Sequence, residues 1–346
     1  MDGSLTPLQF PVAAPPAPGD TLAIAPGVHW LRMPLPFALD HINLWLLEDG
    51  PGWTIVDTGY SSARTMELWE QLFAERLDGL PVTRIIVTHY HPDHIGLADW
   101  LTQRWQAPLW VTEKEWLSAR VMSRGAEDFV PMRRRFARRA GLGNAEAELF
   151  GERENSYRRG VPSVPASFQR LADGMEIEVG GREWRVIVGE GHAPELACLY
   201  CAEAGVLIAG DQVLPRISPN ISVQAHELDG DPLARYLASL AKLRDTVPPE
   251  TLTLPSHNLP FFGLHTRIES LAAHHRARCG EVIAACGIPK TALELVKVLF
   301  RRVLDRHQMG FALGEALAHL NFLMYEGALD RVRGENGVDR FIRTGG

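Results

Sequence analysis

The segment Thr88-His89-Tyr90-His91-Pro92-Asp93-His94 constrains this chain more than any other. Four side chains able to bind a metal (His89, His91, Asp93 and His94) fall within six residues, and His192, Asp211 and His257 follow at wide spacing. Neither strand alternation nor helical pitch brings all four of the first group to one point, because both periodicities splay near neighbours apart. The segment therefore needs a turn between a strand and a helix. Thr83-Arg84-Ile85-Ile86-Val87-Thr88 reads as a buried strand, Pro92 ends it, and Asp93-His94-Ile95-Gly96-Leu97 opens a helix. Imidazole nitrogen and carboxylate oxygen are donors that zinc accepts. Three histidines and an aspartate on such a turn predict a metal site rather than a His-rich surface loop. Two ions about 3.5–4 Å apart would need roughly three protein ligands each, some of them shared.

The cluster resembles the signature of the metallo-β-lactamase superfamily. Gly189-Glu190-Gly191-His192-Ala193-Pro194, Leu207-Ile208-Ala209-Gly210-Asp211 and Leu254-Pro255-Ser256-His257-Asn258 match its later metal motifs. Asp57, in Thr54-Ile55-Val56-Asp57-Thr58-Gly59, matches an early aspartate that supports the site. The motifs occur in the family's order and, with the elements between them, cover about residues 20–280. The resemblance implies an α/β (α+β) fold, an αββα sandwich of two mixed sheets between helices, with the metal motifs at one edge. It implies further that His89, His91 and His192 hold one ion, that Asp93, His94 and His257 hold the other, and that Asp211 bridges both. Two Zn2+ per chain are expected, with Fe or Mn also suited to His and Asp ligands that include no thiolate. A metal-bridging hydroxide is the implied nucleophile, and Asp93 the implied catalytic residue, orienting it or passing its proton to the leaving group.

With 346 residues, the chain is long enough for one large domain and a small one. A net charge of −7 gives no global pull toward nucleic acid or anionic membrane. No apolar run approaches the ~20 residues of a membrane span. The first 31 residues hold no Lys or Arg, so the charged start of a secretory signal is missing and a cytoplasmic location is expected. The four cysteines read as buried free thiols, since Cys198 and Cys201 stand three apart on an apolar strand and face opposite ways.

The expected organisation is an N-terminal arm over residues 1–19, a catalytic domain over 20–288 with a helical insert at about 113–168, and a small module over 289–346. Within the insert, Met132, Phe136 and Ala140 share an inner helix face, and Arg133, Arg134, Arg135, Arg138 and Arg139 form a basic run. The run reads either as a solvated helix face or as an anion site, with Arg134 and Arg138 as substrate-binding candidates beside His41. Glu195 is a candidate orienter of an imidazole N–H, and Tyr90 reads as packing. The other histidines, His226, His265, His274, His275, His307 and His319, read as ordinary surface or core positions.

In the last module, Thr291 and Glu294 form a capping box, and two helices precede a hairpin around Gly334-Glu335-Asn336-Gly337. This order is winged-helix-like and resembles the C-terminal extension of the beta-lactamase-like protein 2 branch. Phe311 to Tyr325 contains no Lys or Arg, which favours packing or a homodimer contact over nucleic-acid binding. The favoured activity is hydrolysis of an acyl thioester or small ester. The alternatives are a metal-dependent endoribonuclease, a lactonase with weak β-lactamase activity, and a non-catalytic regulator or metal-stabilised scaffold. Hydrolysis of a lactam as the main task is disfavoured, because Asp211 resembles the bridging aspartate of glyoxalase-II-like and nuclease-like members.

Overall fold

The central strands are apolar on both faces, as strands enclosed between two layers must be. In this computed structural model, which describes residues 7–37, 39–124, 129–152, 156–301 and 303–345, the chain forms two compact units. The first comprises residues 1–125, 155–219 and 241–268, and the second residues 126–154, 220–240 and 269–346. The first six residues of the expected arm, parts of the insert, Arg302 and the His307 side chain lie outside the described residues.

In the first unit, β1 (Thr21–Ala25), β2 (Val28–Pro34), β3 (His41–Asp49) and β4 (Gly52–Val56) form an antiparallel meander. Strands β5 (Val82–Ile86), β6 (Leu109–Thr112) and β7 (Gln169–Leu171) extend that sheet in parallel. A second sheet places β8 (Glu176–Val179), β9 (Arg182–Gly189), β10 (Leu196–Cys201) and β11 (Val206–Gly210) in antiparallel order, and β12 (Leu252–Pro255) joins β11 in parallel. Both sheets are therefore mixed, as expected.

The helices before the second sheet are α1 (Ala63–Glu75), α2 (Pro92–Ile95), α3 (Ala98–Trp105), α4 (Glu113–Arg124), α5 (Phe129–Ala140), α6 (Asn144–Gly151) and α7 (Tyr157–Gly160). After it come α8 (Pro232–Thr246), α9 (Leu264–Ala285), α10 (Ala292–Leu299) and α11 (Arg306–Tyr325). Among the described residues, no helix is long and apolar enough to cross a membrane.

Alternation builds two cores at once. Trp30, Trp45, Val56 and Ile86 of the first sheet cluster with Trp184, Val186, Leu199 and Ile208 of the second. Their neighbours Leu31, Leu44, Leu46 and Ile85 point the other way and cluster with Leu68, Trp69 and Leu72 of α1 and Leu101 of α3. Fully burying one such side chain is worth about 1.5–3 kcal/mol, so the sandwich is the main source of stability here. The parallel pair β11–β12 requires a crossover, and α8 lies within it.

The second unit takes in α5 and α6 together with α10, α11 and a hairpin of β13 (Leu329–Arg333) and β14 (Asp339–Arg343). Thr291 and Glu294 do form the expected capping box, with the Thr291 N–H donating to Glu294 (2.8 Å) and the Glu294 N–H to Thr291 (3.2 Å). On α5, Phe136 and Ala140 are buried as their spacing predicts, but Arg139 of the basic run is buried with them. All four cysteines are free and buried.

Candidate metal centre

Strands β4 and β5 run parallel, so the segments that follow them leave at the same edge. After β4 the chain turns through Asp57 (φ 62°), a left-handed conformation that aspartate adopts more readily than most residues. Its N–H donates to the Ile86 carbonyl (2.9 Å), while its carboxylate accepts from the N–H (2.7 Å) and the hydroxyl (2.8 Å) of Thr88. Pro92 then takes the first position of α2, where a missing N–H costs nothing. The His94 carbonyl accepts from both the N–H and the hydroxyl of Thr58, each at 2.7 Å. Gly96 must be glycine, since a Cβ there would lie 2.4–2.6 Å from the carbonyl oxygens of Pro92, Gly59 and Gly160.

This turn and three later strand ends bring the seven expected residues together as two donor groups. His89, His91, His192 and Asp211 form one, and Asp93, His94 and His257 the other, with the donor atoms of each group within 4.8 Å of one another. His89 Nε2 and His91 Nδ1 are 3.0 Å apart. Asp211 faces both groups: Oδ2 is 3.5 Å from His192 Nε2, while Oδ1 is 3.5 Å from His257 Nε2 and 3.7 Å from His94 Nε2. Asp93 Oδ2 lies 3.4 Å from His257 Nε2 and 3.8 Å from His94 Nε2. The carboxylate contacts, at 3.4–3.8 Å, are too long for well-formed hydrogen bonds, whereas His89 and His91 are within hydrogen-bond distance of each other.

The rings are aimed from behind. His94 Nδ1–H donates to Asp57 (2.8 Å) and His257 Nδ1–H to the His41 carbonyl (2.8 Å), so each presents Nε2 to the cluster. His94 Nε2 and Asp211 Oδ1 are buried with no hydrogen-bond partner among the described residues. Leaving such an atom unsatisfied costs about 1–3 kcal/mol. A divalent cation between them would remove that penalty, and an all-nitrogen-and-oxygen donor set fits one.

Electrostatics divide the two groups. Burial, reinforced by neighbouring imidazoles, holds His89 well below the usual imidazole range and pushes His91 down to about 3. Both rest neutral, the form that ligates metal. Burial also opposes charge on His94 and His257. There the facing carboxylates outweigh it, raising His94 to about 9 and His257 well above its ordinary value. Asp93 and Asp211 are in turn held below the usual carboxylate range, because His94 and His257 overcome the burial penalty. A cation entering beside His94 and His257 must displace their protons, so metal affinity rises with pH.

His41 does not present a free ring to a substrate. Its Nδ1–H donates to Asp40 (2.6 Å), and its Nε2 accepts from the Asn258 N–H (2.9 Å). Together with Arg32 and Asn43, which donate to the Asn258 carbonyl at 3.0 and 2.8 Å, it braces the loop that carries His257. Among the described residues Glu195 has no hydrogen bond or ion pair to an imidazole; its N–H donates to Glu115 and its carboxylate pairs with Lys114 (3.0 Å). Tyr90 packs half-buried against the core of the first sheet, as expected. Arg134 and Arg138 lie in the second unit, both ion-paired with Glu148, at 2.6 and 2.7 Å.

Sequence reasoning missed Glu115. Fully buried on α4, it accepts from the N–H groups of Tyr90 (2.9 Å) and Glu195 (2.6 Å), tying the loop of His89 and His91 to the loop of His192. Burial raises its carboxyl to about 7 against those two bonds. Tyr157, whose hydroxyl donates to the Tyr90 carbonyl (2.6 Å), supports the same loop and was missed too.

A layered sandwich with imidazole and carboxylate donors converging at one sheet edge defines a metallo-hydrolase. Residues 38–257 match the Metallo-beta-lactamase superfamily and residues 279–344 a Metallo-beta-lactamase-like C-terminal domain, so the chain belongs to that superfamily. It is similar to a beta-lactamase domain protein from Burkholderia ambifaria, with 48% identity and a TM-score of 0.89 over 97% of this chain and 98% of that one. A metallo-beta-lactamase family protein from Thermus thermophilus is 33% identical with a TM-score of 0.78, over 93% of this chain and 100% of that one. The probable metallo-hydrolase YqjP of Bacillus subtilis (strain 168) is 25% identical over 86% of this chain and 92% of its own length.

Proposed function

We propose that the chain is a two-metal hydrolase acting on an acyl thioester or another small ester. The two-metal reading rests on Asp211, whose two carboxylate oxygens face different donor groups, Oδ2 toward His192 and Oδ1 toward His94 and His257. His89, His91 and His192 would hold one ion, Asp93, His94 and His257 the other, and Asp211 both; zinc, iron and manganese all suit these donors. Metal bound there would supply Lewis-acid polarisation of a substrate carbonyl and a water whose pKa is lowered toward ~7.

The chain's own residues supply the rest. Asp57 and the His41 carbonyl fix the tautomers of His94 and His257. Asp93 is only half-buried, beside the fully buried His94, so it is the carboxylate that substrate can reach. Resting ionised, it would take the proton released by the attacking water and pass it to the leaving group. A thiolate needs little such help, which is why thioesters head the substrate class.

The charge pattern supports a small substrate over RNA. The insert at 113–168 balances ten Arg and one Lys with eight acidic residues. Three arginines of the basic run, Arg134, Arg138 and Arg139, are ion-paired with carboxylates rather than forming a phosphate track.

The test is turnover by metal-loaded protein across short thioesters, coenzyme A thioesters, aryl esters, lactones, nitrocefin and single-stranded RNA. Ester or thioester hydrolysis abolished by a chelator is the expected outcome. Turnover of RNA alone would replace this reading with a nuclease.

A further inference from the structure

The basic run acquires a second half in the fold. In the second unit, Arg134, Arg135, Arg138 and Arg139 of α5 and Arg333 at the end of β13 line a cavity of about 500 Å³, with Glu148 as its only acidic lining residue among those described. That volume falls in the range of small-molecule sites. Most of these arginines are already partnered. Glu148 and Glu152 serve Arg134 and Arg138, Asp339 serves Arg139 and Arg333, and Asp229 is shared by Arg139 and Arg331. Counting Arg135, six guanidinium groups stand against four carboxylates among the described residues of this network, an excess of two positive charges in a chain whose net charge is −7.

Two details show where the network is incomplete. Arg135 is exposed and has no ion-pair partner among the described residues. Arg139 is only 7% exposed, yet its Nη1 is buried with no hydrogen-bond partner among the described residues. The hairpin turn completes the wall. There the Asn336 amide oxygen accepts from the Val338 N–H (3.2 Å), leaving its NH2 group to donate.

We propose that this cavity binds a small ligand bearing a diphosphate group. Guanidinium forks match phosphate oxygens in geometry and charge, and two uncompensated positive charges suit a compact polyanion better than a single carboxylate. The proposal does not depend on the ester reading.

The test is calorimetric titration of full-length, metal-loaded protein with inorganic pyrophosphate at low and at physiological ionic strength. Three proteins are compared: the unaltered chain, R135E, and R276E as a control at an exposed arginine of α9. Saturable binding that weakens with salt is expected, reduced at least about tenfold in R135E and less than about twofold in R276E. Pyrophosphate can also contact bound metal, but both variants keep the same metal residues, so the difference between them reports the cavity. Circular dichroism and melting temperature of R135E should match the unaltered chain. Absence of saturable binding, or equal binding by R135E and R276E, overturns the proposal and leaves the arginines as a structural network.

Discussion

In the first unit, five imidazoles and two carboxylates converge with nitrogen-to-oxygen separations of 3.4–3.8 Å, and His94 Nε2 and Asp211 Oδ1 are left unsatisfied. In the second, Arg139 meets Asp339 and Asp229 at 2.7 Å each, and Asp339 also accepts from Arg333 at 2.7 Å. Both clusters are buried and charged. The first leaves His94 Nε2 and Asp211 Oδ1 unsatisfied and its carboxylates beyond well-formed hydrogen-bond distance of the imidazoles, which is the condition for binding something else. The second closes most of its bonds internally, which is the condition for joining α5 to the C-terminal hairpin. Distance, rather than burial or charge, separates donors that await an ion from charges that brace the unit and leave only the exposed Arg135 and one Arg139 N–H over for an anion.

The sharpest way to break this contrast is Asp211→Ala. It removes a donor from both groups, so metal content and hydrolysis should fall together by more than about a hundredfold, beyond the 10–100-fold typical of supporting residues. Arg139→Ala should do the opposite. It leaves the buried Asp339 with Arg333 alone, costing about 3 kcal/mol in urea unfolding while metal content stays unchanged. Loss of metal in that variant would make the second cluster more than a brace.

Smaller effects refine the picture. Asp57→Asn keeps the shape but loses a charged acceptor for the Thr88 N–H and hydroxyl and the His94 Nδ1–H, so metal affinity should drop roughly 10–100-fold. Glu115→Gln leaves one of two backbone N–H groups without its acceptor, and should lower stability by about 1–2 kcal/mol. If Glu115 positions the two ligand loops, kcat should fall with KM little changed. A purely structural role would move stability alone.

The parts legible in the sequence were those whose partners lie nearby or follow a period. His89 to His94 announce themselves because four donors on one turn have few other uses, and the β strands follow from alternation. The Thr291 capping box is a contact three residues long. The basic run was ambiguous because its partners come from far along the chain: Asp229 is 90 residues from Arg139, and Asp339 is 200. Glu115 was invisible for a similar reason. A carboxylate that accepts only backbone N–H groups leaves no partner residue type to look for. His41 was expected at the cleft for substrate, yet its ring and carbonyl brace the His257 loop instead.

The central claim is that Asp211 joins two donor groups into one two-ion centre. Elemental analysis of gently purified, metal-supplemented protein tests it most directly. About two equivalents of zinc, iron or manganese per chain are expected, with both lost together in Asp211→Ala. One equivalent or fewer in the unaltered chain, or an Asp211→Ala variant that keeps both, would contradict it.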